Sequence, residues 1–152
     1  MFTYKAPLRD FQFIYHELFS PLDISSMEKY TNTSEDLVDS IWKEGAKLCE
    51  NKLFPINQSG DEEGCDFNDG NVTTPTGFQS AYKTYVEGGW AGLNCAPLFG
   101  GQGLPSSVNN ALEEMMCSAN LAFSTYPGLT RGVYRALHLF GNNAQKKQYL
   151  PK

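Results

Sequence analysis

The chain has 152 residues, a single domain's length, enough to bury roughly 68–70% of the surface its unfolded form exposes. Its 41% hydrophobic and 19% charged residues exclude a disordered chain, and a net charge of −5 opposes nucleic-acid binding, which needs clustered Lys and Arg. No run approaches the ~20 apolar residues of a transmembrane helix.

Pro7 suits a first helical turn, where its missing N–H needs no acceptor. Leu8, Phe11, Tyr15 and Leu18 recur behind it at helical spacing, and Pro21 closes the segment. Its aromatic face must dock on the rest of the bundle or on a partner. Residues 26–32 form a polar connection. Thr33 or Ser34 then caps a second helix, with Glu35 and Asp36 favourable beside its N-terminal dipole. Leu37, Val38, Ile41, Trp42, Gly45, Leu48, Cys49 and Leu53 make its apolar stripe, and Pro55 ends it.

Residues 58–75 are the most polar and least periodic. Asn68-Asp69-Gly70 marks a turn there, flanked by Cys65, Phe67 and Val72. A small hairpin is one reading; a solvated loop is the favoured one. Thr76 caps a third helix carrying Phe78, Ala81, Tyr82, Tyr85 and Val86.

The stretch from Gly88 to Leu104 holds six glycines, one proline, Trp90 and Phe99, and Pro105 follows it. Gly and Pro both oppose regular helix and strand, yet the stretch is too apolar for a solvated linker. It reads as a tight passage where backbone packs on backbone. It lacks the Lys-Ser/Thr of a P-loop and the GxGxxG spacing of a dinucleotide site.

Ser106 or Ser107 begins a fourth helix, with Val108, Ala111, Leu112, Met115, Met116 and Ala119 on one face. Residues 121–128 form a break, because Pro127-Gly128 does not continue an ordinary helix. Leu129, Val133, Ala136, Leu137 and Phe140 mark a fifth helix, with Gly141 as its C′ residue. Asn142 caps a final short helix through Tyr149, and Pro151 stops it. No stretch alternates with period two. The expected fold is all-α: an orthogonal or up-down bundle of five to six helices, with a long polar loop that has room for a small hairpin.

Glu113-Glu114 is the one paired carboxylate on a firm helix, but neighbours sit about 100° apart, so the two cannot share one proton. A solvated or ion-paired role is expected. His16 and His138 stand far apart and lack further ligands, so satisfied or exposed imidazoles are expected rather than a metal site. Ser118, Ser124 and Thr125 have no adjacent histidine to activate them, and Met115-Met116 reads as core filling. Cys49, Cys65, Cys95 and Cys117 show no CxxC spacing, and no signal-length apolar core precedes them. Four reduced thiols, mostly packing residues, in a cytoplasmic protein are expected.

The order of Gly88-Gly89-Trp90, Phe99-Gly100-Gly101-Gln102-Gly103, Glu113-Glu114, Phe140-Gly141-Asn142 and Gln145-Lys146-Lys147-Gln148-Tyr149-Leu150-Pro151 resembles the N-terminal helical domain of the acyl-CoA dehydrogenases. The resemblance covers essentially all of residues 1–152. Tyr4-Lys5-Ala6-Pro7-Leu8-Arg9-Asp10 and Thr74-Pro75-Thr76-Gly77-Phe78 resemble a bacterial branch that includes methylmercaptopropionyl-CoA dehydrogenases. The resemblance implies a flavoprotein oxidoreductase of acyl-CoA or fatty-acid oxidation, and a homo-oligomeric parent. In that family a segment corresponding to residues 123–130 walls the acyl pocket. Phe123, Thr125, Tyr126, Leu129 and Thr130 are therefore implied as substrate-lining residues.

The family grips FAD and CoA mainly with a middle β domain and a C-terminal helical domain, and the latter carries the catalytic carboxylate. Neither domain is expected within this sequence. No catalytic or metal-binding residue is therefore assigned, the cofactor-binding residues stay unassigned, and the chain alone is expected to be inactive. The alternative is a stand-alone helical module that binds a protein partner, through residues 123–129 or through Phe11, Phe13 and Tyr15.

Overall fold

The computed structural model describes residues 3–19 and 26–151. Helix α1 (Leu8–Gln12) runs on as a π-helical turn, Phe13–Leu18, and lays its aromatic side chains on Trp42. The Phe11 and Tyr15 rings stand 6.0 and 5.2 Å from that indole. Pro21, expected to close this helix, lies outside the described residues. Ser34 caps α2 (Glu35–Leu48), its Oγ accepting the Leu37 N–H at 3.2 Å. Val38, Trp42, Gly45 and Leu48 are buried on the expected stripe, but Leu37 is exposed.

Pro55 does not end the winding. Helix α2 passes through a π-helical turn (Cys49–Leu53) and a 3₁₀ turn (Phe54–Ile56) into α3 (Asn57–Glu63). The proline sits in the first positions of the 3₁₀ turn, where a missing N–H leaves no ladder bond unmade. The polar stretch is likewise more ordered than a solvated loop. Strands β1 (Asp66–Asn68) and β2 (Asn71–Thr73) pair antiparallel, Phe67 opposite Val72. Asp69 at φ 46° and Gly70 at φ 81° make the two-residue connection, the left-handed pair that a tight hairpin turn requires. Helix α4 (Phe78–Glu87) starts from Gly77 rather than Thr76. Thr76 instead gives its N–H (2.9 Å) and hydroxyl (3.0 Å) to the Glu63 carboxylate, closing the excursion at its root.

The glycine-rich passage folds as expected, backbone on backbone. Two 3₁₀ turns, Trp90–Gly92 and Pro97–Phe99, are zipped together by Gln102 N–H to Gly92 O (2.8 Å), Gly103 N–H to Cys95 O (2.9 Å) and Leu104 N–H to Leu93 O (2.9 Å). A Cβ on Gly101 would collide with the Cys95 carbonyl, so only glycine fits there.

Helix α5 (Ser106–Ala119) buries Val108, Leu112, Met115, Met116 and Ala119 against α2. The Trp42 indole N–H donates to the Val108 carbonyl at 3.0 Å, so the largest core side chain leaves no polar atom unmatched. Helix α6 (Leu121–Phe140) is continuous, which corrects the expected break. Pro127 removes one ladder bond, to the Phe123 carbonyl, and its ring is buried. The helix starts only two turns earlier, under a firm cap. Asn120 accepts the Phe123 N–H on Oδ1 at 2.9 Å and donates from Nδ2 to the Leu53 carbonyl at 3.1 Å. Gly141 ends α6 in an extended conformation, at φ −67° and ψ 147°. Asn142 and Gln145 form a capping box for α7 (Asn143–Tyr149).

The result is a mostly α fold with one small two-stranded sheet. No helix among the described residues is long and apolar enough to cross a membrane.

Asn120 is 1% exposed, so its amide is a structural tie and not a surface group. Asn120→Ala removes a helix cap and orphans a buried carbonyl, and should lower stability by about 2–4 kcal/mol in urea unfolding. Asn120→Asp keeps the cap acceptor but buries a carboxylate and turns an oxygen toward the Leu53 carbonyl, and should cost at least as much as Ala at pH 7.

Candidate functional site

Helix α6 separates two neighbouring clefts. The first, about 460 Å³, lies between α4, α6, the glycine-rich passage and the Tyr149–Leu150–Pro151 end of the chain. The second, about 720 Å³, lies between α6, α4 and the hairpin's second strand with the residues that follow it. Tyr82 and Thr130 line both. The glycine-rich passage shapes the first cleft because its small residues let the backbone itself become the wall. Tyr134 holds it in place, its hydroxyl accepting the Ala96 N–H at 2.7 Å.

Phe123 is the hub between the clefts and is fully buried. Its ring lies 6.0 Å from Phe78, 6.4 Å from Tyr82, 6.3 Å from Tyr85 and 6.4 Å from Tyr126, in tilted or edge-on arrangements that suit aromatic quadrupoles. The second cleft is lined by Phe78, Tyr82, Phe123 and Tyr126 of this cluster together with Thr73, Thr74, Thr76, Gln79 and Thr130. Its lining holds hydroxyls and rings but no carboxylate, imidazole or ammonium. Such a surface can seat an apolar chain and orient a polar group beside it; it has no side chain suited to moving a proton at neutral pH.

Of the five expected lining residues, three come together. Phe123, Tyr126 and Thr130 line the second cleft, and Thr130 also faces the first. Thr125 and Leu129 turn elsewhere: Thr125 is exposed and bonds its own helix at the Ala122 carbonyl (2.7 Å), and Leu129 is 75% exposed. The reason is the unbroken helix. At 3.6 residues per turn, positions 123, 126–127 and 130 share a face, whereas 125 and 129 share another.

Arg131, Tyr134 and Cys95 line the first cleft, and local pattern singles out none of them for it, Cys95 being expected only as a packing thiol. Arg131 pairs with Glu113, whose carboxylate also accepts from Asn109, so the expected ion-paired role of Glu113 is realised across α5 and α6. Burial lowers the Arg131 pKa from its usual value and raises the Cys95 thiol and the Tyr134 phenol. The i, i+4 relation of Pro127, Arg131 and Arg135 was visible in the sequence, but only a continuous α6 aims Arg131 at Glu113.

The histidines divide. His16 is satisfied by Asp39, 3.0 Å from Nε2. His138 stacks on Tyr134 at 5.5 Å with its Nδ1 buried and unbonded among the described residues, which corrects the expectation of a satisfied or exposed ring. The four thiols are unpaired, but only Cys49 is buried; Cys65 and Cys117 are exposed, so packing is a minority role for them.

Residues 38–152 match the family model described as "Acyl-CoA dehydrogenase, N-terminal domain". Over 150 residues, 99% of this chain, the sequence is 34% identical to a 3-methylmercaptopropionyl-CoA dehydrogenase of Ruegeria pomeroyi (strain ATCC 700808 / DSM 15171 / DSS-3). The chain spans 26% of that relative's length.

Burial pushes the Tyr85 phenol up to about 12, with the Arg131 charge working against it. A raised phenol pKa favours the neutral, folded form. The associated stability is complete below pH ~10, the unfolded value, and is lost as pH rises through the folded value. Tyr85→Phe should therefore make the loss of stability between pH 10 and 12 shallower, read as the urea midpoint against pH.

Proposed function

The chain belongs to the acyl-CoA dehydrogenase family through its N-terminal domain, and from that premise we propose that residues 1–152 form one wall of an acyl pocket. The reaction of the complete protein is α,β-dehydrogenation of an acyl-CoA thioester, with FAD as electron acceptor. The middle β domain and the C-terminal helical domain, which hold the flavin and the catalytic base, lie outside this sequence. The match to about a quarter of a longer dehydrogenase supports that division. In this reading the complete enzyme is cytoplasmic and homo-oligomeric.

The observation that carries the reading is the meeting of Phe123, Tyr126 and Thr130 on one aromatic cleft. What this chain's residues do there is bind, orient and exclude water, the protein's share of work in a flavin enzyme. They do not fit as a flavin grip of their own. A dinucleotide's phosphates call for cationic donors beside backbone ones, and Arg131, the one cation lining either cleft among the described residues, is already committed to Glu113.

The outer face of α6 fits a surface that other domains cover. Leu129, Val133 and Phe140 are 75%, 60% and 87% exposed along it, an apolar row of the kind that an interface covers. The aromatic face of α1 is the weaker candidate for a partner, since of Phe11, Phe13 and Tyr15 the first is buried and the last packs on Trp42, leaving Phe13 exposed.

Two measurements check the proposal. The chain mixed with FAD, butyryl-CoA and a dye acceptor should not bleach the dye; turnover by these residues alone overturns the division of labour. In the complete enzyme, Tyr126→Ala should raise KM for an acyl-CoA by roughly tenfold with a smaller change in kcat, as expected when an aromatic wall of about 1–1.5 kcal/mol is removed.

A further inference from the structure

Strand β2 places one apolar side chain where the function above leaves it unexplained. Val72 lines the second cleft, yet it is 66% exposed, and Phe67, its cross-strand partner, is 71% exposed. Paired residues on a two-stranded ribbon project from the same face, so Phe67 and Val72 form one apolar patch at the cleft's rim. All six strand residues are exposed, and a two-stranded ribbon this short has little stability of its own. The cleft therefore has two unlike walls: a rigid one, α4 and α6 joined through Phe78, Phe123 and Tyr126, and a thin one that can shift.

The root of the thin wall is defined. Thr76 is bonded twice to the Glu63 carboxylate, Gly64 enters the excursion at φ +68° with open space around its Cα, and Gly77 leaves it at φ +90°. Burial and then the Cys65 thiol, just before β1, raise the Tyr126 phenol, so the ribbon's base lies beside the rigid wall. A clamped base, a glycine on either side and an apolar pair facing an open cleft describe a flap with something to close on.

We propose that residues 64–77 are a flap whose Phe67–Val72 pair closes over the acyl chain in the Phe78–Tyr126 cleft and sets the length of chain accepted. The proposal rests on the acyl-wall reading and adds the residues that decide specificity. The occupant is an apolar acyl thioester, because the cleft's lining carries rings and hydroxyls and no charge. Closure removes Phe67 and Val72 from water together with the chain's methylenes, so each added methylene contributes until the flap's reach is exceeded.

The test uses this chain with S-acetyl-, S-butanoyl- and S-hexanoyl-N-acetylcysteamine, thioesters that need no CoA site. Nuclear Overhauser contacts should join the hexanoyl methyl to the Phe67 ring and the Val72 methyls as well as to Tyr126. Affinity should rise about twofold to fourfold per added methylene. The double variant Phe67→Ser/Val72→Ser changes exposed positions only, and with an unchanged amide spectrum elsewhere it should lose most of that chain-length dependence. If the probe contacts Phe123 and Tyr126 with equal affinity in the double variant, the flap is overturned and the acyl wall stands. If no probe reaches the cleft at its solubility limit, the flap is also overturned, and the acyl wall is decided separately by the Tyr126→Ala kinetics in the complete enzyme.

Discussion

One buried amide governs how this domain is assembled. Asn120 occupies the corner between α5 and α6 and uses both ends of its side chain, one to cap α6 and one to hold the Leu53 carbonyl. A polar group so deeply buried is tolerable only when fully bonded, because in a low-dielectric interior an unmatched amide costs as much as a good hydrogen bond contributes. Meeting that condition fixes where α6 begins, and with it the rotation of every side chain along the helix. Phe123, three residues on, is thereby driven into the aromatic hub, and Tyr126, Thr130 and Arg131 follow at helical intervals onto the faces that line the two clefts.

The glycine-rich passage makes the complementary contribution. Its bonds from Gln102, Gly103 and Leu104 back to residues 92–95 fold it on itself, and the tight fit of Gly101 against the Cys95 carbonyl leaves no room for side chains between the layers. A wall made of backbone is thin, so the cleft can lie close to α6. Tyr134 reaches across to the Ala96 N–H and stitches the passage to the helix. The ion pair of Glu113 with Arg131 does the same between α5 and α6. Helices, passage and cleft are thus held by a few bonds between distant parts of the chain rather than by local preference.

The second cleft joins a rigid aromatic wall to a thin ribbon. The rigid wall is made of side chains locked against one another, with Phe123 fully buried among four rings. The ribbon has exposed strands and is anchored chiefly at its Glu63–Thr76 root. Between them the cleft presents rings, hydroxyls and the Gln79 amide.

What the amino-acid sequence determined by itself were the features set by near neighbours. The apolar stripes of α2, α4 and α5, a cap at Thr33 or Ser34, the cap at Asn142, the tight crossing at residues 88–104 and the ordered motifs of the family all depend on residues a few positions apart. The tertiary structure alone decided the rest. Pro127 stays inside α6 because a capped, buried helix can absorb one missing bond, and Pro55 begins a new turn instead of ending an old one. The hairpin forms at Asp69-Gly70 while Thr76 abandons its cap for Glu63, a partner thirteen residues back. Thr125 and Leu129 leave the cleft, and Arg131 and Tyr134 enter it, because a side chain's direction on a helix depends on where that helix starts and whether it is broken. Both were settled by Asn120 and Leu53, 67 residues apart in the chain, which no local pattern relates.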